Sequence, residues 1–133
     1  MVAAMLDANL CIRVLRHRPS QIRDRFMAEA STLAVSTIVL HELFYGAERS
    51  DRPDFHHQKI SAFADNLTVI SFDRQAAQEA AQIKATLATQ GNMIGPNDIL
   101  IAGHARSLGV KLITGNLGEF TRVDGLRCED WLA

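Results

Sequence analysis

The stretch Val2-Ala3-Ala4-Met5-Leu6-Asp7-Ala8-Asn9 decides how the rest of the chain is read. Its apolar run is too short for a signal or a membrane span. It reads as a strand covered on both faces, and it stops abruptly at a carboxylate. In open α/β sheets, ligands bind beyond the carboxyl ends of the strands, where strand order reverses, and a first strand commonly lies at that point. Asp7 is therefore placed for chemistry. An aspartate before a helix also serves as an N-cap, and the residue types at this point leave both roles open.

Outward from this strand, helical and extended patterns alternate. Residues 8–15 read as a short helix, and Pro19-Ser20 opens a second one reaching about residue 30. A second strand is expected at 32–36, followed by a helix capped by Thr37 and running to about Arg49. After a polar break at 50–54, residues 55–66 read as a helix that buries Phe55, Ile60, Phe63 and Ala64, and 67–70 read as a third strand. Asp73 starts a helix with Ala76, Ala80, Ile83 and Leu87 at helical spacing, and Gly91 ends it. Pro96 opens another helix, which continues to Ser107 and is ended by Gly109. Residues 110–114 form the fourth strand, 115–120 the loop after it, and 126–131 a short edge strand.

This alternation predicts an α/β fold: one domain over residues 1–133, with a central parallel sheet of four to five strands and helices on both faces. With the first strand central, the expected strand order is 3-2-1-4-5. The switch point then falls between strands one and four, and Asp7 meets the 114–119 loop there.

At 133 residues the chain is long enough to bury a core without staples. Cys11 and Cys128 lie far apart with no CxxC or Cys/His spacing, so neither a disulfide framework nor a zinc site is indicated and a reducing, cytoplasmic setting is expected. No apolar run approaches the roughly twenty residues a bilayer requires. A formal net charge of -1 argues against nonspecific coating of nucleic acid. The cations are nonetheless concentrated early, at Arg13, Arg16, His17, Arg18, Arg23 and Arg25, and this makes either a solvated helical face or a positive flank beside an acidic site.

Two further acids stand in apolar company. Glu42 lies within Ile38-Val39-Leu40-His41-Glu42-Leu43-Phe44-Tyr45, a helix expected to be mostly buried, where a lone carboxylate is costly unless it is paired or bound to a metal. Asp98 follows Gly95-Pro96-Asn97 in a first helical turn, which favours negative charge. It shares a face with Ala102 and Ala105, small residues that let the helix pack closely over the strand ends. Carboxylates converging from three separate elements repel one another unless a cation is present, and hard oxygen donors select Mg²⁺ or Mn²⁺. His56-His57 reads as surface, and His104 as helix packing or a phosphate contact. A cation held by a few carboxylates and waters suits phosphoryl chemistry, activating a water and offsetting charge on the phosphate.

Over nearly its whole length the chain resembles the VapC toxins of bacterial toxin-antitoxin systems, which are PIN-domain ribonucleases. The matching pieces are Met5-Leu6-Asp7-Ala8-Asn9, Glu42-Leu43-Phe44-Tyr45-Gly46-Ala47-Glu48, residues 95–105, the 114–120 loop, and Gly125-Leu126-Arg127-Cys128-Glu129-Asp130-Trp131. Each piece is weak alone, but their order and spacing together are specific. The resemblance implies a Mg²⁺- or Mn²⁺-dependent endoribonuclease with Asp7, Glu42 and Asp98 as metal ligands and catalytic acids. It implies a fourth position at Asn116 or Glu119, with Asn9 and Thr114 in support. It further implies cleavage of structured RNA, of the initiator tRNA in its anticodon region, and inhibition by a VapB antitoxin whose C-terminal segment occupies the active groove. A homodimer, or a hetero-oligomer with the antitoxin, is expected. Arg13 and Arg16 are the candidate RNA contacts.

The sequence departs from the family pattern twice. Ala8 stands where Thr or Ser is usual, and Thr114-Gly115-Asn116 replaces Thr-Asn-Asn, so hydrogen-bonding groups around the acids are lost. A competing reading is therefore a weakly active or inactive PIN-fold module whose acids recognise a partner tail. A phosphotransfer enzyme with Asp7 as nucleophile is disfavoured, because Asn9 stands where a second aspartate would assist.

Overall fold

The computed structural model describes residues 1–131. Its elements in chain order are β1 (Ala4–Leu6), α1 (Ala8–Arg16), α2 (Ser20–Glu29), β2 (Leu33–Ser36), α3 (Thr37–Glu48), α4 (Pro53–Ala64), β3 (Thr68–Ile70), α5 (Arg74–Gln90), α6 (Pro96–Leu108), β4 (Lys111–Ile113), α7 (Leu117–Phe120) and β5 (Cys128–Glu129). Among the described residues the strands form one sheet in the order β3-β2-β1-β4-β5, as expected, and every pairing is parallel.

β1 lies at the centre of this sheet because it has no polar face to show. Ala4, Met5 and Leu6 are all essentially inaccessible, as are Leu33, Ala34 and Val35 of β2 beside them. At the outer edge Val69 of β3 is 40% exposed, and the strand is only three residues long, which limits the unpaired backbone left facing solvent. The clearest sequence period gives the clearest helix. Ala76, Ala80, Ile83 and Leu87 form the buried stripe of α5, and Gly91 closes it in the left-handed conformation at φ 63°. α6 crosses α5 at Gly103, where an added Cβ would lie 2.6 Å from the backbone of Ala80. Only a glycine permits that approach.

Several local expectations are corrected. Ser36, rather than Thr37, caps α3, its Oγ accepting from Ile38 N at 3.1 Å. The Thr37 hydroxyl instead accepts from Phe72 N at 3.1 Å and ties the start of α3 to the segment after β3. α3 is not buried all round: Val39, Leu43 and Ala47 form its buried stripe, and Tyr45 is 57% exposed. α4 begins at Pro53, inside the expected polar break, because proline suits a first turn. Ile60 and Phe63 are buried as expected, with Phe63 stacked on Phe26, but Phe55 faces solvent beneath the guanidinium of Arg52. The 115–120 loop contains the short helix α7, and the final strand narrows to Cys128–Glu129. Residues 132–133 of the expected domain lie outside the described residues.

Candidate active site

β1 delivers Asp7 to the carboxyl edge of the sheet. The residue is 2% exposed and does two jobs at once. Its Oδ1 accepts from Leu10 N at 2.8 Å, capping α1, and its Oδ2 accepts from the Thr114 hydroxyl at the end of β4. Of the two roles left open by the sequence, the N-cap is the one seen directly, and it leaves Oδ2 free of α1. Burial pushes the Asp7 carboxyl above its ordinary range, and the bonds from Thr114 and Leu10 and the charge of Arg13 oppose that rise.

Glu42 projects from α3 with Oε1 buried and lacking any hydrogen-bond partner. Its pKa is raised, first by burial and then by the negative charge of Asp7. Asp98 stands in the first turn of α6, where its Oδ2 lies 3.1 Å from the place a Cβ on Gly95 would take. Burial, then a hydrogen bond and charge repulsion from Glu119, then Glu42 and Asp7, push Asp98 up to about 7. Glu119, carried by α7, has Oε2 buried and unpartnered. Asp7, Glu42, Asp98 and Glu119 therefore act on one another across a single edge of the sheet.

Of the remaining expected positions, Asn116 precedes α7 and its backbone N–H bonds Thr114 Oγ1 at 2.8 Å, while its side chain makes no capping bond. Asn9, Arg13 and Arg16 line a cleft with Gly115. Asp130 was not anticipated. It directly follows β5, so a parallel edge strand brings it to the same end of the sheet as Asp7, and its charge raises the Asp7 pKa. The expected edge strand was the signal that could have found it. His57 pairs with Glu48 at 2.9 Å, as a surface residue would. His104 is 1% exposed and packs edge-on against Phe72, which leaves a packing role and removes the phosphate contact.

The donor set is all oxygen, and two of its buried oxygens have no partner, which fits a hard divalent cation. Among the described residues, no three His, Cys, Asp or Glu side chains are arranged to surround one ion together. Mg²⁺ commonly needs only one or two protein carboxylates, the rest of its shell being water and substrate phosphate.

A five-stranded parallel sheet in this order, with carboxylates from β1, α3 and α6 at its carboxyl edge, defines a PIN domain, and residues 4–126 match that family. Over 131 residues the chain is 44% identical to the tRNA(fMet)-specific endonuclease VapC of Shigella flexneri, covering 98% of this chain and 99% of that protein. It is also 44% identical to ribonuclease VapC2 of Haemophilus influenzae, covering 99% of this chain and all of the relative. The chain belongs to the VapC family of PIN-domain proteins. Solved structures agree: the DNA-bound VapBC of Salmonella typhimurium matches with a TM-score of 0.94 at 44% identity, covering 98% of this chain and 99% of that one. VapBC2 of Rickettsia felis, bound to a fragment of its promoter, gives 0.91 at 32% identity, again covering 98% and 99%. No helix among the described residues is long and apolar enough to cross a membrane.

Proposed function

We propose that this chain is the toxin of a VapBC pair: a cytoplasmic, single-domain endoribonuclease that hydrolyses a phosphodiester in tRNA with Mg²⁺ or Mn²⁺ bound. The observation that carries this reading is the half-buried acid cluster around Asp7, in which Glu42 and Glu119 each keep an unpartnered oxygen and Asp98 is driven up to about 7, first by burial and then by its acidic neighbours. A cation would relieve that repulsion. The names of the relatives, endonuclease and ribonuclease, support the reaction class, and the Shigella relative's tRNA(fMet) supports the initiator tRNA as substrate, with cleavage near its anticodon resting on the family resemblance alone. The VapBC complexes among the structural neighbours support a VapB antitoxin as partner, in a homodimer or hetero-oligomer.

In this reading one or two of Asp7, Glu42 and Asp98 would hold the cation directly and the others through water, and the bound cation would offset charge on the phosphate and acidify a water. Glu119 or Asn116 completes the polar wall and orients the attacking water. Thr114 positions Asp7 through its hydroxyl, and Asn9 stands at the mouth of the site. Arg13 and Arg16 hold phosphates by charge-assisted contacts. Ala8 and Gly115 supply no side-chain hydrogen bond, so the site leans more heavily on Thr114.

The test is incubation of the purified chain with total tRNA in Mg²⁺, in Mn²⁺ and in a chelator, mapping the new 5′ ends. Cleavage confined to the metal samples, and lost in Asp7→Asn and Glu42→Gln proteins that retain native circular dichroism, is expected. Full cleavage by either variant would refute the site. Calorimetric titration of Mn²⁺ that gives the same negligible heat for the parent and Asp98→Asn would point instead to a metal-free module recognising a partner tail.

A further inference from the structure

Two clefts flank the arginine-bearing edge of α1. The smaller, about 510 Å³, opens towards Gly115. The larger, about 590 Å³, starts at Glu42 and runs between α1, α3 and α4 to His56 and Lys59. Apart from Glu42 at one end, the ionisable groups along the larger cleft are Arg16, His17, Arg18, His56 and Lys59, above a floor that includes Leu15, Leu43 and Ile60. One backbone feature and one side-chain contact place Arg18 and Lys59. His17 takes the left-handed conformation at φ 54°, which ends α1 and turns Arg18 along the cleft. At the start of α4, the N-cap Arg52 lies 4.0 Å and Lys59 5.0 Å from the ring centre of Phe55, which shares a helical face with Lys59. The aromatic ring thus holds Lys59, which lines the cleft, without neutralising it. Among the described residues, Arg16, Arg18 and Lys59 form no ion pair with an acid.

In a chain of net charge -1, a cleft with cations on both walls and Glu42 as its one lining acid is complementary to a polyanion. We infer that the larger cleft is a second RNA-strand subsite, in which Arg18 from the end of α1 and Lys59 from α4 receive the phosphates of nucleotides flanking the one presented to Glu42. The inference rests on the nuclease reading and extends it from the acids and α1 across to α4. RNA is favoured over an acidic peptide because Glu42, one of the acids the nuclease reading sets against the phosphodiester, lines this cleft.

The experiment measures binding of a fluorescent RNA stem-loop to the full chain in chelator, by anisotropy over a range of salt, and KM for its cleavage in Mg²⁺. The proteins compared are the parent, Arg18→Gln, Lys59→Gln, the double variant, and Lys84→Gln on the exposed face of α5 as a charge control. Each cleft variant is expected to weaken binding and raise KM several-fold. The double variant should flatten the slope of log affinity against log salt by about 1 to 2, and the control should behave as the parent does. A double variant with the parent's affinity and slope overturns the subsite, as does a control that loses as much as the double variant. Unchanged RNA affinity together with lost binding of polyglutamate would assign the cleft to a peptide and overturn it too. A parent that neither binds nor cleaves RNA would defeat the nuclease reading itself, an outcome distinct from these.

Discussion

Thr114 gives its hydroxyl hydrogen to Asp7 Oδ2 and, on the same oxygen, receives the backbone N–H of Asn116 at 2.8 Å. One buried side chain at the end of β4 thus sets both the carboxylate at the end of β1 and the turn that leads to Asn116 and α7. With alanine at position 8, Thr114 is, among the described residues, the one side-chain hydroxyl bonded to Asp7.

Thr114→Val keeps the shape and removes that donor, so a buried carboxylate oxygen is left unsatisfied at a cost of about 1–3 kcal/mol in urea unfolding. Because the Thr114 bond is what chiefly holds the Asp7 pKa down, its loss should move the acid limb of the cleavage–pH profile to higher pH. Thr114→Ser should restore both. An unshifted profile in the valine variant would show that Thr114 does not position Asp7.

Asp98 is raised to about 7 in the folded chain from an ordinary 3.8, so the native state favours its protonated form. The stability this group contributes is complete below the ordinary value and is lost as pH rises through about 7. Asp98→Asn escapes that loss. In chelator at about pH 8 the variant should melt above the parent, and the gap should close as pH falls towards the ordinary carboxylate range. Mg²⁺ or Mn²⁺ should raise the parent's melting temperature and narrow the gap from the other side. A variant that melts lower at every pH would make Asp98 a structural group.

Gly103 and Gly46 should respond oppositely to alanine. At Gly103 the new methyl would meet Ala80 at 2.6–2.7 Å, forcing α5 and α6 apart at a cost of about 1–3 kcal/mol or more. At Gly46, inside α3, nothing lies within 4 Å, and alanine should stabilise by about 0.5–1 kcal/mol through helix propensity. Denaturant midpoints measured on the two variants check both signs.

His104 is buried with both ring nitrogens unpartnered, and burial lowers its pKa while the charge of Asp73 opposes the shift. The unfolded chain therefore takes up a proton that the native core refuses, and stability falls as pH drops below 6.5. His104→Leu, of similar volume, should remove this component, so that its melting temperature falls less than the parent's between about pH 7 and pH 5. Equal slopes would show that His104 finds a partner in solution.

The parts of this fold legible in the sequence were those with a repeating signal. β1 and β2 announce themselves as continuous apolar runs, α5 by its spacing of Ala76, Ala80, Ile83 and Leu87, and the helix ends by Gly91 and Gly109, both at positive φ. Strand order followed from parallel connectivity. α7 has only four residues and no period to read, so Glu119, which it carries, was weighed as support when it is the main charged neighbour of Asp98. Phe55 was placed in the core on hydrophobicity alone. Nothing local says that the N-cap Arg52 and Lys59, on its own face, offer it a cationic surface instead. The carboxylates were legible as anomalies in apolar company. Their mutual orientation was not, because it depends on how closely α6 seats against the sheet and against α5 at Gly103.

A practical consequence follows from strands that all point the same way. Met1 lies ahead of β1 at the pole away from the acids, whereas the chain emerges from β5 with Asp130 next to Asp7. An affinity handle fused ahead of Met1 would hang clear of the acids. A handle joined instead directly after Trp131 would leave the body of the protein at the pole of the acids, where it would crowd a nucleic acid bound there and make cleavage look slow for reasons unrelated to its chemistry.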